Sequence, residues 1–291
     1  MTEGPPAEPR AGSRPEPAEP RSQRFPPGRL VLIGHPVAHS LSPVFQNAAL
    51  RRAGLPLVYE ALDVVPEALD ATLEQLARER AAGNVTLPHK LAVASACRHL
   101  TPEATRAGAV NTFWHEGGAL VGDNTDVAGF DAMARALLGG IPAGVTVFVL
   151  GSGGGAAAVC AAVSAWPGAR LRLHARNERA TRALAARFPG IDPSGVDAAR
   201  TAAIVVNATP VGLTGDALPI PVGYLARDAV VMDLAYRAGE TAWVRAARAA
   251  GHRAADGREM LLAQGACAFE RWFGFAPDLG VMRAALAGVA T

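Results

Sequence analysis

Lysine is almost absent from this 291-residue chain: of 28 Lys and Arg residues, all but Lys90 are arginine. Arginine keeps its charge at any working pH, whereas an ammonium in a desolvated site can give up and regain a proton. Lys90 is therefore marked as a proton-transfer candidate, against the alternative of a leftover surface lysine. Amides are scarce as well, with Asn47, Asn84, Asn111, Asn124, Asn177 and Asn207 facing Gln23, Gln46, Gln75 and Gln264. In so depleted a chain, the positions that keep them are where side-chain hydrogen bonding is expected to matter. The three cysteines, Cys97, Cys160 and Cys267, lie far apart without C-x-x-C or Cys/His spacing, which argues against a disulfide framework and against a metal site and fits a reducing cytoplasm. No run reaches the roughly 18 apolar residues of a membrane span. Aromatics make up 5% and the net charge of +2 comes from scattered arginines, so no track for a nucleic-acid backbone is expected.

With 50% hydrophobic and 19% charged residues, the chain can bury the cores of two domains. Met1 to Gly28 is rich in Pro, Glu and Arg and lacks the apolar stretch of a secretion signal, so it reads as a disordered tail. From Arg29, the apolar run Leu30–Gly34 predicts a buried parallel strand. Ser40 and Ser42 follow on the loop before a helix opened by Pro43, where parallel α/β sheets place ligand contacts; the alternative is that both only cap that helix. Strands are expected over Val58–Val64, Asn84–Thr86, Gly108–Thr112 and Leu120–Asp126, with a helix over Pro66–Arg80. Pro88 opens another helix, placing Lys90 in its first turn, where the helix dipole mildly disfavours a cation and eases deprotonation. Asn111, Asn124 and Asp126 are offered at strand ends, while Asp123 reads as a cap for the helix beginning near Val127.

The pattern changes at about Val127. The strand Val145–Leu150 runs into Gly151-Ser152-Gly153-Gly154-Gly155-Ala156 and an alanine-rich helix. This is the G-x-G-x-x-A turn of a Rossmann unit, whose free N–H groups at the helix start face a pyrophosphate. The next strand, Arg170–His174, is followed by Ala175-Arg176-Asn177 with no acid at its tip, which favours a 2′-phosphate and hence NADP; a merely solvated Arg176 is the alternative. Further strands end at Asn207-Ala208-Thr209-Pro210 and Asp233-Leu234. Three helices close the chain, the middle one carrying Gln264 as either a buried structural amide or one turned into a cleft.

Taken together, Ser40-Leu41-Ser42-Pro43, Asn84 through Lys90, Gly108 through Thr112, Asn124-Thr125-Asp126, Gly151 through Ala156, Asn207 through Pro210, Asp233 through Tyr236 and Gln264 resemble the shikimate dehydrogenase family over essentially all of Leu30 to Leu286. The resemblance implies an α/β fold of two domains. These are a substrate-binding catalytic domain of residues 29–126 plus 256–291, rejoined by the C-terminal helices, and an NADP-binding Rossmann domain of residues 127–255. It implies reduction of 3-dehydroshikimate to shikimate with NADPH in aromatic biosynthesis, in the cytoplasm, by a monomer or homodimer. Lys90 and Asp126 match the catalytic pair, the lysine as proton donor and the aspartate holding it in register. Ser40, Ser42, Asn84, Thr86, Asn111, Tyr236 and Gln264 match the substrate contacts. Gly151, Ser152, Gly153, Gly154, Gly155, Ala156, Arg176, Asn177, Asn207, Thr209 and Gly257 match the cofactor side.

Ala175 and Asn177 stand where the family usually has asparagine and threonine, leaving more of the 2′-phosphate recognition to Arg176. Gln46 and Ala238 replace a common histidine and proline and are expected to be structural changes. The alternatives are an NAD-using quinate/shikimate dehydrogenase, against which Arg176 argues, and a non-catalytic metabolite-binding regulator, against which the joint presence of Lys90 and Asp126 argues.

Overall fold

In the computed structural model, which describes residues 26–289 except Ala238, two six-stranded sheets are each flanked by helices. Most of the expected tail, and the change at Ala238, lie outside the described residues. The chain begins with β1 (Arg29–Gly34), α1 (Ser42–Arg52), β2 (Tyr59–Asp63), α2 (Leu69–Arg78), β3 (Ala81–Val85), α3 (Lys90–Ala96), β4 (His99–Leu100), α4 (Pro102–Ala107), β5 (Thr112–Glu116) and β6 (Ala119–Asp123). The first sheet has the order β2-β1-β3-β5-β6-β4. β1 pairs in parallel with β2 and β3, as its apolar run predicts, while β5 pairs antiparallel with both β3 and β6. The β5–β6 hairpin closes through Gly117-Gly118, both at positive φ (59° and 79°), the backbone a two-residue hairpin turn requires.

One stretch departs from the sequence expectation. Gly108–Thr112 is not a strand: Thr101 caps α4 by accepting from the Ala104 N–H, and the helix ends at Gly108, so β5 starts only at Thr112. Thr-Pro-Glu at residues 101–103 is an ordinary helix-start signal, overshadowed by the apolar Ala109-Val110 that follows.

Next come α5 (Asp126–Leu138), β7 (Thr146–Leu150), α6 (Gly154–Val163), β8 (Arg170–His174), α7 (Glu178–Ala185), β9 (Asp192–Pro193), β10 (Ile204–Asn207), β11 (Val230–Asp233), α8 (Ala242–Ala249) and β12 (Ala254–Ala255). Their strands form an all-parallel sheet ordered β9-β8-β7-β10-β11-β12. Counted within that unit, this is the 3-2-1-4-5-6 order of dinucleotide-binding folds, whose direction of winding reverses between β7 and β10. α6, almost all alanine and valine, is buried on every side, wedged between the sheet and α5.

The chain then returns to the first sheet with α9 (Arg258–Phe273) and α10 (Leu279–Ala287). Phe45 of α1, Leu262, Phe269 and Trp272 of α9 and Met282 of α10 share one core with Leu30 and Leu32 of β1. Gln46 fits its expected structural role, its Nε2 donating to the Gly265 carbonyl and tying α1 to α9. α5 packs along both α9 and α6, so the two sheets meet across a shared helix.

Candidate active site

The Lys90 turn is held from three sides. Thr86 N–H donates to the Ile33 carbonyl, His35 N–H to the Leu87 carbonyl, and the buried His89 Nε2 to the Val64 carbonyl at 2.6 Å. These bonds fix the chain that leaves β3, and Lys90 follows as the first residue of α3. Its Nζ donates to Asp126 Oδ2 at 2.5 Å, with the two side chains 18% and 8% exposed. Asp126 is the first residue of α5, where a carboxylate is favoured by the helix dipole. The expected catalytic pair is therefore assembled from two helix starts.

The dinucleotide turn closes on this pair. A Cβ at Gly154 would lie 2.9 Å from Lys90 Cδ, so the absence of a side chain there makes room for the lysine stem. Gly151, at φ +120°, sits where a Cβ would come within 2.7 Å of the Ala208 carbonyl; only glycine fits this bend. Gly153, with open space where a Cβ would project, forms the start of α6 without any side-chain cap. Its helix N–H groups are left for an anion.

Around the pair runs a wall of interlocked amides and hydroxyls. Asn84 Oδ1 accepts from the Tyr59 hydroxyl at 2.7 Å, while its Nδ2 donates to the Asn111 carbonyl and to Thr112 Oγ1. Asn111 Nδ2 donates to Thr125 Oγ1 and to Gln264 Oε1, and Gln264 Nε2 donates in turn to the Leu261 carbonyl. Asn84, Asn111 and Gln264 are all buried, so of the two readings of Gln264 the structure joins both: it is buried, and it is part of this wall. Thr86 is half-buried beside it, its methyl packed where Gly34 lacks a side chain.

Tyr236, on the loop after β11, lies close to Ser40 and near Asp126. Burial raises its hydroxyl above the ordinary tyrosine range, with nearby Ser40 opposing, so it stays neutral. Ser40 Oγ accepts from the Ser42 N–H, but Leu41, not a serine side chain, occupies the cap position of α1. Capping alone thus does not account for the two serines. Three partners in the wall escape a reading of the sequence: Tyr59, Thr112 and Thr125. The two threonines stand inside motifs already singled out, next to Asn111 and Asp126, and only pairing across β3, β5 and the α5 start reveals their role.

On the cofactor side, Arg176 is exposed and rims a groove with His174, Thr181, Arg182 and Ser194. It has no ion-pair partner among the described residues. Asn177 is used locally, its Oδ1 accepting from Ala180 N–H to cap α7. Two further side chains are taken up by the protein's own hydrogen bonds. The Asn207 side chain is fully buried, accepting from Thr209 N–H and Oγ1 and donating to the Val211 carbonyl and Asp233 Oδ1. Its amide groups are engaged within the protein, as those of Asn84 and Asn111 are, and they shape the turn carrying Thr209. Asp123 does not cap α5; it accepts from Thr101 Oγ1 and, at 2.7 Å, from Arg271 Nε, joining α4 to α9. Gly257 is buried with no room for a Cβ against the Leu234 carbonyl, and its N–H donates to the Ala235 carbonyl. It brings the start of α9 onto the Tyr236 loop.

The geometry offers an ammonium paired with a carboxylate, walled by neutral hydrogen-bonding groups and abutting a glycine turn with open helix N–H groups. Among the described residues no His/Cys/Asp/Glu cluster could hold a metal ion and no helix is long and apolar enough to cross a membrane.

Known proteins resemble this chain. The shikimate dehydrogenase substrate binding domain matches residues 32–113, and the shikimate 5′-dehydrogenase C-terminal domain matches residues 257–287. The shikimate dehydrogenase (NADP(+)) of Anaeromyxobacter sp. (strain K) is 41% identical over 272 residues, covering 87% of this chain and 94% of that protein. The one from Rubrobacter xylanophilus is 43% identical, covering 88% and 94%. The crystal structure of shikimate 5-dehydrogenase from Thermus thermophilus in complex with NADP(H) and shikimate superposes with a TM-score of 0.81 at 40% identity, covering 90% of this chain and 99% of that one.

Proposed function

The chain belongs to the shikimate dehydrogenase family, and we propose from its geometry how it carries out the reversible, NADPH-dependent reduction of 3-dehydroshikimate to shikimate on the route to chorismate and the aromatic amino acids. The observation that carries the reading is the Lys90–Asp126 pair lying against Gly154 of the dinucleotide turn. NADPH, when bound, supplies the hydride that the ring ketone accepts. Lys90 places its ammonium beside the oxygen as negative charge develops there, stabilises it and delivers the proton. Asp126 keeps the ammonium aimed and accepts from a substrate hydroxyl.

Ser40, Ser42 and Tyr236 hold one side of the substrate, and Asn84, Thr86, Asn111 and Gln264 the other. Their mutual hydrogen bonds preorganise the wall, so little ordering is left to substrate binding. The N–H groups of Ser152 to Ala156 take the pyrophosphate. Arg176 takes the 2′-phosphate, with Asn177 acting through the start of α7 and Thr209 and Gly257 lining the nicotinamide side. We assign residues 29–126 with 256–291 to the substrate-binding domain and 127–255 to the NADP-binding domain, in a cytoplasmic monomer or homodimer.

The test is nicotinamide reduction followed by absorbance, with shikimate and quinate each offered with NADP and NAD. Shikimate with NADP is expected to be the fastest combination. Binding of shikimate with no turnover on either nicotinamide would overturn the reading in favour of a metabolite-binding regulator.

A further inference from the structure

Asp233 ends β11 and is fully buried, yet no cation pairs with it among the described residues. Every partner it has is a neutral donor. Its Oδ1 accepts from Asn207 Nδ2 at 2.8 Å and from the Ala235 N–H at 3.0 Å, and its Oδ2 accepts from Thr241 Oγ1 at 2.7 Å. A buried, unpaired carboxylate is costly, and desolvation pushes this one up to about 6, with nearby Asp256 adding repulsion. A neutral acceptor would satisfy the same shape more cheaply, which makes the placement of these donors informative.

Each donor belongs to a different cleft segment. Asn207 passes the constraint on to Thr209 and the Val211 carbonyl, fixing the nicotinamide-side turn. Ala235 immediately precedes Tyr236, and its carbonyl in turn receives Gly257 N–H from the start of α9. Thr241 caps α8 and pulls the far end of the Tyr236 loop back to where it began. One carboxylate thus gathers the turn after β10, the loop after β11 and the start of α8 at the same point. The carboxylate accepts from all three donors at once, from two on Oδ1 and one on Oδ2.

Resting on the proposed reaction, we infer that Asp233 is a positioning residue that sets Tyr236 against the substrate and, through Asn207, sets the Thr209 turn against the nicotinamide. Asp233 touches neither ligand itself; its effect reaches the substrate only through Tyr236. Removing it should therefore matter little once the tyrosine hydroxyl is gone, since perturbations acting through one group are not additive.

The experiment is a double-mutant cycle of Asp233→Ala and Tyr236→Phe in the full-length enzyme, with kcat and KM measured for shikimate and for NADP and folding checked by circular dichroism. In the wild-type background, Asp233→Ala is expected to lower kcat/KM for shikimate by roughly tenfold, mostly through KM, equivalent to about 1.4 kcal/mol. In the Tyr236→Phe background, the same change is expected to cost less than about threefold. Asp233→Asn, which keeps the Oδ1 acceptor for Asn207 and Ala235, is expected to recover most of the loss, and it carries the test if the alanine variant fails to fold. Equal losses in both backgrounds, or a lowered Tm with unchanged kcat and KM, would overturn the inference. A wild-type enzyme inactive toward shikimate would instead overturn the proposed function.

Discussion

Replacing Lys90 by methionine separates its charge from its packing. The methionine stem still fills the hollow over Gly154, but the partner of Asp126, a side chain only 8% exposed, is gone. Losing one member of a fully buried ion pair costs about 3–5 kcal/mol because the other charge is stranded. The 18% exposure of Lys90 lets water reach the site, and solvent screening lowers the expected cost to about 2–3 kcal/mol. Turnover should fall much further than stability alone explains, by about 10²- to 10⁴-fold, the usual contribution of a positioned general acid. Substrate affinity should stay within roughly tenfold, since the wall around Asn84 and Asn111 is untouched.

The decisive variant is the double substitution Lys90→Met with Asp126→Asn. With neither charge left stranded, its stability should return to within about 1 kcal/mol of wild type, while turnover stays as low as in the single variant. Chemical denaturation, calorimetric titration with shikimate and steady-state rates measure the three quantities. If the Lys90→Met enzyme turns over near the wild-type rate, or if the double variant regains turnover along with stability, the assignment of the proton to Lys90 is refuted.

Three other outcomes follow from the same geometry. Arg176→Ala should lower kcat/KM with NADP by roughly 10- to 100-fold, the range of a charge-assisted hydrogen bond, and leave the NAD value within about twofold; comparable losses with both cofactors would show that Arg176 does not read the 2′-phosphate. Gly154→Ala puts a methyl into the lysine stem and should reduce kcat by about tenfold or more while Tm moves little, because a misplaced catalytic group costs rate before it costs stability; unchanged kcat would mean that the stem shifts freely. Asp233 binds its proton more tightly in the folded state, at about 6, than at its ordinary 3.8, so its contribution to stability is greatest below about pH 4 and is lost as pH rises through about 6, by roughly 3 kcal/mol. Asp233→Asn should remove that slope from denaturation midpoints measured across the range, and an unchanged slope would place the titration elsewhere.

Much of the site is legible in the sequence because its chemistry is local. A strand, a glycine turn and a helix follow one another from Thr146 to Val163, and the depletion of lysine leaves Lys90 conspicuous. What cannot be read depends on pairing between distant strands. Tyr59 looks like any β-strand aromatic until β1 and β3 bring its hydroxyl to Asn84, 25 residues away. Asp123 resembles a helix cap until α9 delivers Arg271 from 148 residues downstream. Asn207 sits in a recognisable motif, yet only the neighbouring strand shows that its amide is consumed by Asp233 and the turn it supports. α4 is hidden for a different reason: it is six residues long, too short for helical periodicity to stand out against the flanking apolar residues.

The return of α9 and α10 to β1 and α1 has a consequence for biogenesis. As the chain leaves the ribosome, the face formed by Leu30, Leu32 and Phe45 emerges more than 200 residues ahead of its cover of Leu262, Phe269, Trp272 and Met282. The dinucleotide-binding half lies wholly between, complete in its own strands before α9 exists. Units fold as their residues become available, so the second sheet can settle while the first still waits for its closing helices. The order of synthesis thus makes the second sheet a scaffold beside which the first is completed afterwards.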